Sequence, residues 1–80
     1  MKDNEIRSKL FSIAEKSLGR SFVDIDANAD LFEVMGLDSL SIVELITEIE
    51  EEFNFEFEEI ELLQLSTPRE LIELIKKYQT

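Results

Sequence analysis

The sequence predicts an all-α protein: a small antiparallel bundle of three main helices plus one short helix, with a long loop between helices 1 and 2. Three observations carry this. Apolar residues recur at three- and four-residue spacings in separate stretches. Residues suited to starting and stopping helices bracket those stretches. A chain of 80 residues, 44% hydrophobic and 9% aromatic, makes a single domain with one core (1–80) and is too apolar for disorder.

The first helix is expected over about 4–18, where Ile6, Leu10, Ile13, Ala14 and Leu18 form one apolar stripe. Asp3 or Asn4 can cap its start, and Gly19 suits the left-handed position past its end. Residues 19–38 then read as a loop, with neither a helical nor an alternating period. Phe22, Val23, Ile25, Leu31, Phe32 and Val34 should pin it to the core, and an ordered loop of this length is often functional. Within it Asp24, Asp26, Asn28 and Asp30 alternate like the ligands of a calcium loop. The glycine and glutamate that such a loop needs are replaced by Ala29 and Met35, so no metal site is expected.

The second helix is predicted over about 39–53, with Asp38 as its cap. Ile42, Leu45, Ile46, Ile49 and Phe53 fall on its core face, and Leu40, Glu44, Thr47, Glu48 and Glu51 on the opposite one. Leu40 is the apolar exception on that outer face, beside Ser39. After a turn at residues 54–57, Ile60, Leu62, Leu63 and Leu65 allow a short helix over about 58–65 with some apolar groups left exposed. Thr67, Pro68 and Glu70 form a helix start with a capping box, opening a last helix over about 68–78. Lys76 and Lys77 suit the negative end of its dipole.

With no Cys and no His, the chain cannot perform thiol chemistry, imidazole acid–base catalysis or Ser-His-Asp hydrolysis. No enzymatic activity is expected. The net charge of −11 argues against nucleic acid and anionic membrane surfaces as partners and for basic protein surfaces. Between Arg20 and Arg69 there is no basic residue, yet most of the 19 acidic residues lie there. The N-terminal residues lack the apolar core of a signal peptide, and no apolar run nears the ~20 residues that span a bilayer. A soluble, cytoplasmic, monomeric protein without membrane insertion is the expectation.

In the stretch from Gly36 to Leu40 the only reactive-looking group is the hydroxyl of Ser39, at the start of the second helix, and it reads either as a plain helix-start serine or as a modification site. Asp38, better placed as the cap, leaves that hydroxyl free for chemistry.

Around it, Asp30-Leu31-Phe32-Glu33-Val34-Met35-Gly36, Leu37-Asp38-Ser39-Leu40, Ser41-Ile42-Val43-Glu44-Leu45 and Glu50-Glu51-Glu52-Phe53 resemble the acyl carrier proteins, as does Ser66-Thr67 before the last helix. The resemblance runs the length of the chain. It implies that Ser39, flanked by Asp38 and Leu40, receives 4′-phosphopantetheine from coenzyme A through a phosphopantetheinyl transferase. It further implies a carrier of acyl thioesters in fatty acid or polyketide-type biosynthesis. Leu40, Glu44, Thr47, Glu48 and Glu51 would then dock acyl-loading and acyl-processing enzymes through their basic patches. Some positions depart from the family pattern: Thr47 replaces an apolar docking residue, Glu58-Glu59 replaces a frequent Pro-Asp, and the short helix is rich in Leu and Ile. These departures bear on the pathway, and a peptidyl, aminoacyl or D-alanyl carrier is the alternative within the class. An unmodified acidic interaction module is the alternative outside it.

Overall fold

The computed structural model describes residues 2–22 and 24–79; Val23, expected to help pin the long loop, lies outside them. Five helices follow in order: α1 (Asp3–Leu18), α2 (Leu31–Met35), α3 (Ser39–Phe53), α4 (Glu59–Gln64) and α5 (Pro68–Gln79). Among the described residues there is no strand, and no helix is long and apolar enough to cross a membrane.

α1 is the hub, packing against both α3 and α5. Its buried side chains Ile6, Leu10 and Ala14 meet Leu45, Ile49 and Phe53 of α3 and Leu71 and Ile75 of α5 in one core. Each fully buried Leu or Ile there contributes about 1.5–3 kcal/mol of transfer free energy. At the start of α1 the expected side-chain cap is absent. Lys2 occupies the cap position through its backbone alone, its carbonyl accepting from Glu5 and Ile6 N–H. Asp3 instead reaches across to α5 and pairs with Lys76 at 2.9 Å. Gly19 ends the helix in the left-handed region (φ 71°), its N–H donating to the Glu15 carbonyl.

The long connection is not loop throughout: α2 interrupts it. Asp30 caps α2 by accepting from Glu33 N–H (3.0 Å), while Leu31 and Met35, one turn apart, drop into the core. Gly36 (φ 62°) stops it, so that the N–H groups of Gly36 and Leu37 turn back onto the carbonyls of Glu33 and Phe32. The rest of the connection is fastened to the start of α5. Leu31 N–H donates to Ser66 O (2.8 Å), Arg69 N–H to Ala27 O (3.0 Å) and Arg69 Nε to Asn28 Oδ1 (2.8 Å). Asp26 accepts from Asn28 N–H in a local turn. Three of the four alternating polar side chains are thus engaged in structural bonds, and the described residues hold no metal-ligating cluster. Phe22, Ile25 and Val34 are half-buried, as pinning requires, but Phe32 is 39% exposed.

The start of α5 carries the expected capping box, extended by one residue: Glu70 Oε1 accepts from Thr67 N–H, Ser66 N–H and the Ser66 hydroxyl, and Thr67 Oγ1 accepts from Glu70 N–H. α4 differs from the other helices in having no fully buried side chain. It is tied to α5 by a polar clamp, in which the Tyr78 hydroxyl and Lys77 Nζ donate to the two oxygens of Glu61. Tyr78 is itself held by stacking on Phe55 at 4.6 Å. The Tyr78 bond, then Lys77, lowers Glu61 from the ordinary 4.5 to about 2.

Because the folded-state value is depressed, the clamp's contribution is complete above about pH 4.5 and is lost as pH falls toward about 2. Tyr78→Phe is expected to raise hydrogen exchange of α4 amides several-fold, with α1 amides unaffected. In the wild type the same loosening should appear between pH 4.5 and 2. Equal exchange in variant and wild type would show that the clamp does not hold α4.

Candidate functional site

The site is the junction of α2 and α3. Leu37, nearly buried and bonded through its N–H to Phe32 O (2.8 Å), pulls the connecting segment inward. Asp38 then starts α3 from an extended conformation, and its Oδ1 accepts from the N–H groups of Leu40 (3.0 Å) and Ser41 (2.8 Å). Ser41 answers: its Oγ accepts from Asp38 N–H at 2.9 Å and lies 3.0 Å from Asp38 Oδ1. These bonds, led by the Ser41 N–H and then its hydroxyl, hold the Asp38 carboxyl below the usual range. The cap is Asp38, as its sequence position indicated.

Asp38 and Ser41 satisfy one another and leave Ser39 out. Ser39 is exposed, and its hydroxyl has no hydrogen bond among the described residues. The carboxylate also occupies two of the N–H groups that a bound anion would seek at this helix start. The Ser39 N–H takes part in no bond among the described residues, and the dipole of the 15-residue α3 still favours negative charge there. A phosphodiester on Ser39 fits this environment: the oxygen is open to solvent, and the neighbouring carboxylate charge is already engaged.

Beyond Ser39 the outer face of α3 lies in solvent. Leu40 is 67% exposed, and Glu44, Thr47, Glu48 and Glu51 continue the face. Thr47 returns its hydroxyl to Val43 O (2.9 Å). Sequence reasoning missed Val43, which is 59% exposed and sits between Leu40 and Thr47 at helical spacing. That spacing was the available signal. Ile60 and Leu63 of α4 are exposed as well. Between α2, α3 and α4 opens a mostly apolar cleft of about 400 Å³, lined by Phe32, Ile42, Val43, Ile46, Leu62 and Leu63 among others.

Arg20 buttresses the site from below. Its guanidinium Nη2 donates to Met35 O (2.7 Å) and Gly36 O (2.8 Å), and a Cβ at Gly36 would lie 2.5 Å from that same nitrogen.

A single-core helical bundle with an open serine at a helix start has the layout of a small carrier domain. Residues 8–75 match the family described as "Phosphopantetheine attachment site". The chain is 35% identical over 79 residues to the acyl carrier protein of Akkermansia muciniphila, covering 99% of each chain. It is 33% identical over 73 residues to that of Thermotoga maritima, covering 91% of this chain and 90% of the relative. Its fold superposes on the crystal structure of an acyl carrier protein from Thermotoga maritima with a TM-score of 0.83 at 25% identity, over 96% of this chain and 89% of that one. The chain belongs to the acyl carrier protein family, and the cofactor of that family's attachment site is 4′-phosphopantetheine.

Proposed function

We propose that Ser39 is the residue that bears 4′-phosphopantetheine, and that the protein is a cytoplasmic, monomeric shuttle for acyl groups in fatty acid or polyketide-type biosynthesis. The observation that carries this is the unengaged Ser39 hydroxyl beside a self-contained Asp38–Ser41 cap. Nothing bonded to Ser39 activates it, so the transferase supplies the base that takes the hydroxyl proton. Once attached, the arm supplies a thiol that holds the acyl group as a thioester. The protein is then a substrate of its partner enzymes and not a catalyst. The apolar cleft one turn along α3 supports an aliphatic cargo over an aminoacyl one.

The test is incubation of the folded protein with coenzyme A and a broad-specificity phosphopantetheinyl transferase. Intact mass should rise by one phosphopantetheine; an unmodified protein beside a transferase active on a control substrate would sink the reading.

For partner recognition, Glu44, Glu48 and Glu51 attract basic patches during encounter, while Leu40, Thr47 and Val43 furnish the contact beneath them. Glu44→Lys and Glu48→Lys should each slow transfer to partner enzymes by about three- to tenfold at low salt, with the gap narrowing as salt rises. Both carboxylates are exposed, so unfolding should be unchanged. Rates and salt dependence equal to wild type would remove the outer face of α3 as the docking surface.

A further inference from the structure

We propose that Arg20 is a positioning residue for modification of Ser39, an inference that rests on the attachment reading above. After α1, the chain sends Arg20 to the far end of α2, where its Nη2 donates to the carbonyls of Met35 and Gly36 at 2.7 and 2.8 Å. These are carbonyls that a helix leaves without partners as it ends, and they precede Ser39 by only a few residues. The Arg20 guanidinium also lies 5.6 Å over the Phe22 ring. Phe22 in turn packs on Phe11 and donates its N–H to Glu15, so the guanidinium is anchored to α1.

The bonds through residues 35–41 form a continuous series. Arg20 fixes the carbonyls of residues 35 and 36, Leu37 N–H bonds Phe32 O, and the Asp38–Ser41 box fixes the first turn of α3. Ser39 is the polar member of this segment whose side chain is left out. A hydroxyl that makes no bonds of its own is aimed only by its backbone, and that backbone is held after Ser39 by the bonds of Leu40 and Ser41 to Asp38 and before it by the bonds of Arg20 to residues 35 and 36. Small misplacement of a reacting oxygen lowers the rate of its attack far more than its binding.

Charge and geometry make opposite forecasts here. Removing a cation from a chain of net charge −11 strengthens attraction to a basic transferase, which by charge alone leaves KM equal or lower and kcat untouched. Loss of positioning lowers kcat. With the transferase and coenzyme A, Arg20→Met is expected to lower kcat about tenfold with KM unchanged or reduced. Arg20→Lys, which keeps a charged donor, should recover most of the loss. In the unmodified proteins, hydrogen exchange at the Gly36 and Leu37 amides should quicken in Arg20→Met, while α1 and α5 amides and the thermal midpoint stay near wild type.

A wild-type kcat in Arg20→Met, or a loss confined to KM, overturns the proposal. So does a lysine variant no better than the methionine one. Should wild type itself fail to be modified, the attachment reading falls alone. Exchange at Leu37 then decides whether Arg20 holds the turn, unchanged exchange overturning that too.

Discussion

Ser39→Ala is expected to abolish the mass gain from coenzyme A completely while leaving the thermal midpoint within a degree or two of wild type. The hydroxyl is exposed and bonded to nothing among the described residues, so its removal breaks no stabilising contact. Alanine is moreover at least as good a helix former as serine. The informative contrast is Ser41→Ala, two residues away in the same helix turn. That variant deletes the bond to Asp38 N–H and the contact with its carboxylate, so it should lose several degrees of midpoint through the weakened cap. It should still accept one phosphopantetheine. Intact mass and thermal unfolding on the two variants therefore separate a chemical role from a structural one. If Ser41→Ala were the unmodifiable protein, the assignment of Ser39 would be wrong.

Ile49→Ala is expected to cost about 2–5 kcal/mol, since the side chain is fully buried on the core face of α3 and its loss leaves a cavity. A domain of this size has roughly 4–12 kcal/mol in total. The variant should therefore melt at least about 10 °C lower, and in urea its midpoint should fall with an unchanged slope. Ile49→Val removes one methyl and should cost about 0.5–1.5 kcal/mol. Leu63→Ala, by contrast, trims a side chain that is 74% exposed and should shift stability within about 0.5 kcal/mol. Similar losses for Ile49→Ala and Leu63→Ala would mean that the α1–α3 seam is not where the stability resides.

The parts of the molecule that could be read from sequence are those whose cause is local. Ile6, Leu10 and Ala14 announce α1 by spacing, Leu45, Ile46 and Ile49 announce α3, and Thr67 with Glu70 marks the start of α5. Asp38 could be recognised as a cap because capping involves only residues close in the chain. α2 escaped because five residues are too few to display a period and its support comes from elsewhere. Ser66 O receives Leu31 N–H, and Arg20, 15 residues from Met35, closes its far end. The Glu61–Tyr78 clamp was hidden for the same reason, its partners lying 17 positions apart. At the candidate site, the motif singled out Ser39 and Leu40, both exposed at the start of α3. Val43 was not singled out, because a valine in a helix that is rich in apolar residues reads as core unless its angular position is checked.

Gly36 and Arg20 form a single unit of variation. The guanidinium fills the space that a side chain at position 36 would need, approaching to 2.5–2.9 Å, and the left-handed backbone there disfavours other residues on its own account. A side chain at 36 must therefore displace Arg20, whereas with a short residue at 20 only the backbone strain would be left. Replacements at the two positions should be strongly non-additive, the second change costing less than it does alone. Among related chains, glycine at the position of Gly36 should therefore be held most strictly where a long cation stands at the position of Arg20.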